Sequence, residues 1–299
     1  MAISGGRKTV LRLSTGIEVH ALIHAGNASK SAKCLLLHGN PGSLRDWDRV
    51  APRLTSVADV VAIDLPGFGQ SPRPGSDAQS MGLERLADHT LAAARALGWN
   101  EAVFLVGHSH GGGVAQVAAA RQPEAVAGIV LLGTLGFPEH SSYRRLSVPG
   151  LAQLASLLGK GMKSRLLRPI IRAALRGAMK DVFSPEEVPE ARVERELSLF
   201  TERPEILRSM VDVALGRPCE LLLACASNGG CPAFFLHGED DRVVPLRCAR
   251  SIHERMVRSG RHTTFESLAR AGHMLLDFQA QLVAERITAF VSHPPHSTR

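Results

Sequence analysis

Aromatic side chains are scarce in this sequence of 299 residues, where they make up 4%, with one Tyr and two Trp. Proteins that bind single-stranded nucleic acid stack the bases on aromatic side chains, so we expect no nucleic-acid partner. No uninterrupted apolar run approaches the roughly 18 residues of a membrane span. The first residues contain Arg7 and Lys8 but no apolar signal segment. We therefore expect a soluble, cytoplasmic protein.

Cysteine is also rare. The five cysteines are an odd number, form no CxxC pair and lie mostly inside apolar runs: Cys34, Cys219, Cys225, Cys231 and Cys248. Cysteine in such surroundings behaves as a small hydrophobic residue. We expect neither a disulfide framework nor a zinc site, and no metal or organic cofactor.

Acidic residues are fewer than basic ones, 28 against 35, which gives a formal net charge of +7. The excess is concentrated between Arg144 and Lys180, a stretch that contains nine basic residues and no acid. If its second half is helical, five of these residues form a basic stripe: Arg165, Arg168, Arg172, Arg176 and Lys180. We favour a solvated face. The alternative is contact with a membrane, an acidic substrate or a carrier partner.

Short apolar runs alternate with segments that have apolar residues at helical spacing, which favours a mostly parallel sheet with helices on both faces. After a first hairpin (9–13 and 17–24), the predicted strands are 33–37, 60–63, 102–106, 127–132, 233–236 and 263–265, and the predicted helices are 80–97, 111–121, 246–258 and 274–291. The interval 137–216 contains no convincing strand, but it contains helical stretches around 151–158, 165–179, 189–199 and 204–215. We therefore predict an α/β core formed by residues 1–136 and 217–299, with a helical cap, or lid, inserted at 137–216.

The strongest chemical signal is Gly107-His108-Ser109-His110-Gly111, which matches G-x-S-x-G between a predicted strand and a predicted helix. A sharp turn in that position holds a serine in a strained conformation, and glycines are needed where a side chain would collide with neighbouring backbone. We predict Ser109 as a nucleophile.

A serine hydroxyl needs a base to remove its proton and a carboxylate to orient that base. Of the thirteen histidines, we choose His273, because it follows the last predicted strand and precedes the last helix. His108 and His110 are expected to point away from Ser109, and His38 to pack beneath the next loop.

For the acid, three carboxylates adjoin in the loop after the strand that ends near Leu236. We choose Asp241, with Asp240 as the next candidate and Glu239 as the last. The chain order Ser, Asp, His agrees with a nucleophile elbow of this type.

An oxyanion at the site would need preorganised N–H donors. We predict the backbone N–H of His110 as one donor and that of Asn40, in the sequence His38-Gly39-Asn40-Pro41-Gly42, as the other. Pro41 has no N–H to donate.

These motifs, together with Asp64-Leu65-Pro66-Gly67-Phe68-Gly69-Gln70-Ser71 and Gly272-His273, resemble those of the α/β-hydrolase fold superfamily, in its serine-nucleophile branch with a helical cap. The resemblance extends from about Val10 to Val291. It implies a structural role for Asp64.

Differences between this sequence and the motifs of related families reduce the number of activities to consider. Haloalkane dehalogenases and epoxide hydrolases have an Asp where this chain has Ser109, and the epoxide hydrolases use cap tyrosines where this chain has only Tyr143. Meta-cleavage-product hydrolases have a serine and a cap, but their oxyanion loop usually has further Gly and Ser in place of Asn40-Pro41. Haloperoxidase-type esterases resemble the Ser109 elbow but generally lack so long a cap.

We therefore predict a serine esterase with a Ser-His-Asp catalytic triad, which cleaves a small carboxylic ester or related acyl compound. Carbon–carbon bond hydrolysis is the second hypothesis. A weakly catalytic, ligand-binding homologue is the third. The sequence does not name the substrate, because the shape of the pocket depends on how the cap docks. It does not give the oligomeric state either.

Overall fold

The computed structural model describes residues 6–26, 32–139, 144–145, 150–151, 161, 164, 166–215, 218–228 and 230–295. Its centre is a single eight-stranded sheet. The strands are β1 (Arg7–Arg12), β2 (Glu18–His24), β3 (Ala32–Leu37), β4 (Ala58–Ile63), β5 (Val103–His108), β6 (Val126–Leu132), β7 (Ala233–Gly238) and β8 (Thr263–Leu268).

The strand order is β1-β2-β4-β3-β5-β6-β7-β8. β1 and β2 pair antiparallel and β2 joins β4 antiparallel, whereas all remaining pairs are parallel. β3 and β5 are neighbours in the sheet. The next strand after β3, which is β4, lies on one side of this pair, and the next strand after β5, which is β6, lies on the other. Loops that leave the carboxyl ends of such strands form a crevice in which open α/β sheets bind ligands. This edge carries the loops that follow Leu37 and His108.

Helices surround the sheet. They are α1 (Leu83–Ala96), α2 (His110–Arg121), α3 (Arg168–Phe183), α4 (Glu190–Glu202), α5 (Ile206–Leu215), α6 (Pro218–Cys225), α7 (Leu246–Arg258), α8 (Leu275–Phe278) and α9 (Ala280–Ser292).

Alternating strand residues face two apolar cores. Leu35 and Leu37 of β3 belong to the core that includes α1, α2 and α7, whereas Cys34 and Leu36 belong to the core on the α9 side. The predicted α/β architecture with helices on both faces is confirmed, and each predicted strand overlaps one that is observed.

Between β6 and β7, the described residues form helices and loops. α3, α4 and α5 overlap predicted helices, and Pro169 lies in the first turn of α3, where its missing N–H costs no hydrogen bond. The sequence did not predict α6, which buries Cys219, Leu222 and Cys225. The predicted helix at 274–291 is divided at Gln279 into α8 and α9. The predicted helix at 151–158 lies, apart from Leu151, outside the described residues.

The predicted basic stripe faces acidic side chains of α4. Arg168 pairs with Glu194 at 3.0 Å, and Arg172 pairs with Glu194 at 2.7 Å and also with Glu190. Arg176 pairs with Glu190 as well. These ion pairs neutralise part of the positive charge of the stripe within the chain. Neither the solvated face nor the contact with a partner had included such pairing. Arg165 and Tyr143 lie outside the described residues.

In the described part of the chain, no helix combines the length and the apolar character that crossing a bilayer requires.

Candidate active site

Ser109 occupies the tight connection between β5 and α2. Its backbone has φ 52° and ψ −115°, a combination that costs a non-glycine residue about 1–3 kcal/mol. The surrounding chain holds it there: the Ser109 N–H donates to the Leu132 carbonyl at 2.9 Å, and the Ser109 carbonyl accepts from Gly112 at 3.0 Å and Leu135 at 3.2 Å.

Close backbone contacts explain the glycines on both sides of Ser109. A Cβ on Gly107 would lie 2.3 Å from the Gly111 carbonyl oxygen, and a Cβ on Gly111 would lie 2.3 Å from the Leu37 carbonyl oxygen. Neither contact is possible between non-bonded atoms. The turn therefore requires glycine at both positions.

His273 and Asp241 lie in direct contact. The His273 Nδ1 is 2.7 Å from the Asp241 Oδ2, and both residues are buried. The Asp241 Oδ1 accepts hydrogen bonds from the N–H groups of Val243 at 2.9 Å and Val244 at 2.8 Å. Burial opposes ionisation of Asp241, but the contact with His273 and these hydrogen bonds outweigh it and lower its pKa.

The two acids that precede Asp241 in the chain do not share its buried position. Glu239 and Asp240 are exposed, and the Glu239 carboxylate accepts a hydrogen bond from the Ser267 hydroxyl at 2.8 Å. Of the three adjoining carboxylates, Asp241 is the one that contacts His273.

His108 lies against His273, a contact that the expectation for His108 did not include. The ring centroids are 4.8 Å apart, and the His108 Nε2 donates to the His273 carbonyl oxygen at 2.9 Å. Burial lowers the pKa of His108 to about 3, so that the ring is neutral near pH 7. The sequence offered no signal for this contact beyond the position of His108 next to Ser109.

The loop after β3 also lies against Ser109, because a Cβ on Gly39 would lie 3.2 Å from the Ser109 Cβ. His38 is buried beneath the following loop, as expected: its Nδ1 donates to the Gly39 carbonyl and its Nε2 accepts from the Leu65 N–H at 2.9 Å. In the same loop, Asn40 lines the same cavity as Ser109. Its amide Nδ2 donates to the Met210 carbonyl at 3.1 Å.

The remaining predicted site residue is His110, the first residue of α2, which is fully buried. Burial lowers its pKa to about 3. Asp64 accepts hydrogen bonds from Leu44 N–H at 2.6 Å and Gln70 N–H at 2.8 Å, which fits the structural role expected of it.

A cavity of about 490 Å³ is lined by Ser109, His273, His108 and Asn40, and also by helix residues from the chain between β6 and β7. The sequence analysis missed a charged group in its wall, formed by Asp46, Arg192 and Glu196; Arg145 and Asp181 also line the cavity. One signal could have found it: Arg192 and Glu196 lie four residues apart on the same face of α4 as the buried Val193, Leu197 and Phe200. A charged pair on an apolar face is a reason to expect a buried ion pair.

These charged residues form a buried network. Asp46 pairs with Arg192 at 2.8 Å and also with Arg195. Arg192 lies 3.0 Å from Glu196 and 3.5 Å from Asp277. Burial alone would raise the pKa of Asp46, but the two arginines lower it to about 2. Burial raises the pKa of both Glu196 and Asp277, with Arg192 opposing.

Within the described ranges, no three side chains of His, Cys, Asp or Glu are grouped as metal ligands.

Comparison with known proteins identifies the fold. The family model of the alpha/beta hydrolase fold matches residues 35–163. An uncharacterized hydrolase, YugF of Bacillus subtilis, is 24% identical over 280 residues, which cover 92% of this chain and 95% of that protein. The 2-hydroxymuconate semialdehyde hydrolase of Pseudomonas sp. strain CF600 is 29% identical over 277 residues, which cover 85% of this chain and 89% of that protein.

Comparison with solved structures identifies the same fold. The 2-hydroxy-6-oxo-6-phenylhexa-2,4-dienoate hydrolase of Rhodococcus sp. strain RHA1 aligns with a TM-score of 0.73 at 20% identity, covering 97% of this chain and 100% of that chain. Together with the sheet order and the elbow at Ser109 already described, these likenesses show that this chain has the α/β-hydrolase fold.

Proposed function

We propose that the protein is a serine hydrolase that cleaves a carboxylic ester, or a related acyl bond, through an acyl–Ser109 intermediate. The observation that carries the proposal is the buried 2.7 Å contact between His273 and Asp241 beside the cavity that Ser109 lines. A histidine paired in this way can act as a base towards a nearby hydroxyl. The strained backbone of Ser109 is typical of a nucleophile elbow.

In the proposed reaction, the His273 Nε2 accepts the Ser109 proton while the serine oxygen attacks the substrate carbonyl carbon. The negative charge on the carbonyl oxygen is stabilised by the N–H groups of Asn40 and His110. The imidazolium then protonates the leaving alcohol. In the second half, His273 removes a proton from water, which attacks the acyl carbon and releases the acid and the Ser109 hydroxyl.

We propose that residues 137–216 act as a cap over this site, with residues 1–136 and 217–299 as the core. Contacts between the two parts support this division. Arg73 of the core pairs with the buried Asp212 of α5 at 2.7 Å, and Asp46 pairs with Arg192 of α4. A cap held in place excludes water from the cavity and strengthens electrostatic interactions inside it.

The second candidate is hydrolysis of a carbon–carbon bond in a vinylogous diketone. The 29% identity with a protein named 2-hydroxymuconate semialdehyde hydrolase, over 89% of its length, favours it. A third candidate is a ligand-binding protein that uses the same fold with little turnover. The three are separated by what the purified protein cleaves.

The first test is labelling with a fluorophosphonate probe, which reacts with activated serines. We expect stoichiometric labelling that is lost in Ser109→Ala and kept in Ser267→Ala, a serine outside the cavity. A panel of p-nitrophenyl esters of graded chain length and one vinylogous diketone then separates ester from carbon–carbon hydrolysis. Unlabelled wild-type protein without turnover of either substrate class would exclude the serine hydrolase.

A further inference from the structure

The loop that carries His273 lies between the core and the proposed cap. On the core side, the His273 carbonyl oxygen accepts a hydrogen bond from the His108 Nε2 at 2.9 Å. On the cap side, a Cβ on Gly272 would lie 1.7 Å from the carbonyl oxygen of Ser184, the residue that directly follows α3. No side chain fits between these two backbones, so the chain segment of the base is in direct contact with the cap.

Met274, the residue after His273, packs against the cap. It is 5% exposed and lies in a small apolar cluster with Met179 and Phe183 of α3 and Val193 of α4. This cluster is separate from the two apolar cores that cover the faces of the sheet. Met274 is the residue that the core contributes to it. The cluster therefore joins the cap to the chain segment of the base.

Two further contacts join the cap to α8, the short helix that begins two residues after His273. The Phe183 ring lies edge-on to the Phe278 ring, with the centroids 6.0 Å apart. Arg192 of α4 lies 3.5 Å from the Asp277 carboxylate. The cap therefore contacts the chain both before and after the base.

We propose that Met274 is a positioning residue for the general base: α3 and α4 hold its side chain and thereby set where the His273 ring lies relative to Ser109. This inference rests on the proposed serine hydrolysis and concerns the regulation of the same site. A cap that moves away displaces His273 as well as admitting water. Cleavage then requires a closed cap even for a substrate too small to fill the cavity.

Small displacements of a base are costly. A general base has to lie within hydrogen-bonding distance of the proton that it accepts, and a misplacement of about 1 Å can cost about 10²-fold in rate. Asp241 holds the His273 ring at Nδ1, but a ring held at one atom can still rotate about that hydrogen bond. The packing of Met274 restrains the backbone that carries the ring. Because buried side chains interdigitate closely, the cap and this backbone are displaced together.

The test uses p-nitrophenyl acetate, whose short acyl group depends little on the apolar wall of the cavity. Met274→Ala removes the side chain from the cluster, and we expect kcat to fall about tenfold with KM within about twofold. Met274→Leu keeps most of the apolar volume and should recover most of kcat. Met274 also lines the cavity, so a change confined to KM would show a substrate contact instead and would overturn the positioning role.

The matched control is Met256→Ala, which removes the same side chain from a site outside the cavity. Met256 is fully buried in the core that includes α7. Both variants should lose about 2–5 kcal/mol in the free energy of unfolding. At a temperature at which circular dichroism shows both to be folded, we expect Met256→Ala to keep the wild-type kcat. A loss of packing in general would lower kcat in both.

A second measurement needs no turnover. The Nδ1 proton of His273, which Asp241 accepts, should give a resolved low-field signal in the proton NMR spectrum, assigned by its absence from His273→Gln. We expect Met274→Ala to broaden this signal, because the ring is less well held and its proton exchanges faster with water. Met256→Ala should keep it sharp.

An unchanged kcat in Met274→Ala would overturn the proposal while leaving ester hydrolysis by the wild type in place. Equal losses of kcat in Met274→Ala and Met256→Ala would also overturn it. A wild type that cleaves no ester would instead reject the proposed function, and the NMR signal then decides, since an equally sharp signal in Met274→Ala contradicts the positioning role. If Met274→Ala does not fold, Phe183→Leu loosens the same cluster from the side of the cap, and a wild-type kcat in that variant contradicts the proposal.

Discussion

The His273 Nδ1 lies 2.7 Å from the Asp241 Oδ2, and the other oxygen of that carboxylate accepts from two backbone N–H groups, those of Val243 and Val244. Both oxygens of Asp241 are therefore held, and the carboxylate cannot rotate without breaking hydrogen bonds. Because Asp241 is ionised and accepts from Nδ1, the proton of a neutral His273 resides on Nδ1. The lone pair is then on Nε2, where a base acting on Ser109 needs it.

The first prediction concerns this pair. Asp241→Asn presents an amide to His273 and favours the wrong ring tautomer, so kcat should fall by about 10³ to 10⁴ with KM changed little. Steady-state kinetics on the best p-nitrophenyl ester measures the effect. The matched control is Asp240→Asn, whose carboxylate is exposed. Equal losses in the two variants would contradict the assignment of the acid.

The second prediction concerns the elbow. Gly111→Ala puts a methyl group 2.3 Å from the Leu37 carbonyl oxygen, so the backbone has to shift, and we expect a loss of about 3 kcal/mol in the free energy of unfolding. Gly177→Ala, in α3, meets nothing within 4 Å and should gain up to about 1 kcal/mol through helix propensity. Urea titration measures both, and a fully stable Gly111→Ala would contradict the close approach.

Much of the fold was predictable, because its signals are local. The strands are short apolar runs, and the connection at Ser109 is marked by Gly107 and Gly111 immediately around it. Of the charged wall, the pair of Arg192 and Glu196 on the apolar face of α4 could have been predicted. The part played by Asp46 could not, since Asp46 and Arg192 are far apart in the sequence and nothing local relates them. α6 was missed for a different reason: Leu221, Leu223 and Ala224 are apolar although they are not buried, so the sequence shows no helical stripe. The contact of His108 with His273 depends on the relative position of two loops.

The third prediction concerns pH. The pKa of Asp46 is lowered to about 2 in the folded chain by Arg192 and Arg195, against about 3.9 for an unperturbed aspartate. A lowered acid pKa stabilises the folded state above the unfolded value, and this contribution is lost as the pH falls through the folded pKa. We expect Asp46→Asn to cost about 3 kcal/mol at pH 6, because it leaves the buried Arg192 and the half-buried Arg195 underpaired.

The difference in unfolding free energy between wild type and Asp46→Asn should therefore decrease as the pH is lowered from about 5 to 2, where Asp46 itself becomes protonated. Denaturant titrations across this range measure it. Glu194→Gln serves as the control, because its pairs with Arg168 and Arg172 are exposed, and it should not move the unfolding midpoint measurably. A difference that stays constant with pH would contradict the pairing of Asp46 in the folded state.

The fourth prediction assigns His108 a positioning role. Its Nε2 donates to the His273 carbonyl at 2.9 Å and so holds the loop that carries the base. His108→Phe keeps the ring volume but loses the donor, and we expect kcat to fall about tenfold with KM within about twofold, because the base is less well aligned. His108→Gln, which can still donate from its amide, should recover part of kcat. Since the pKa of His108 is lowered to about 3, neither variant should change the pH–rate profile near neutrality. A change confined to KM would instead show that His108 contacts the substrate.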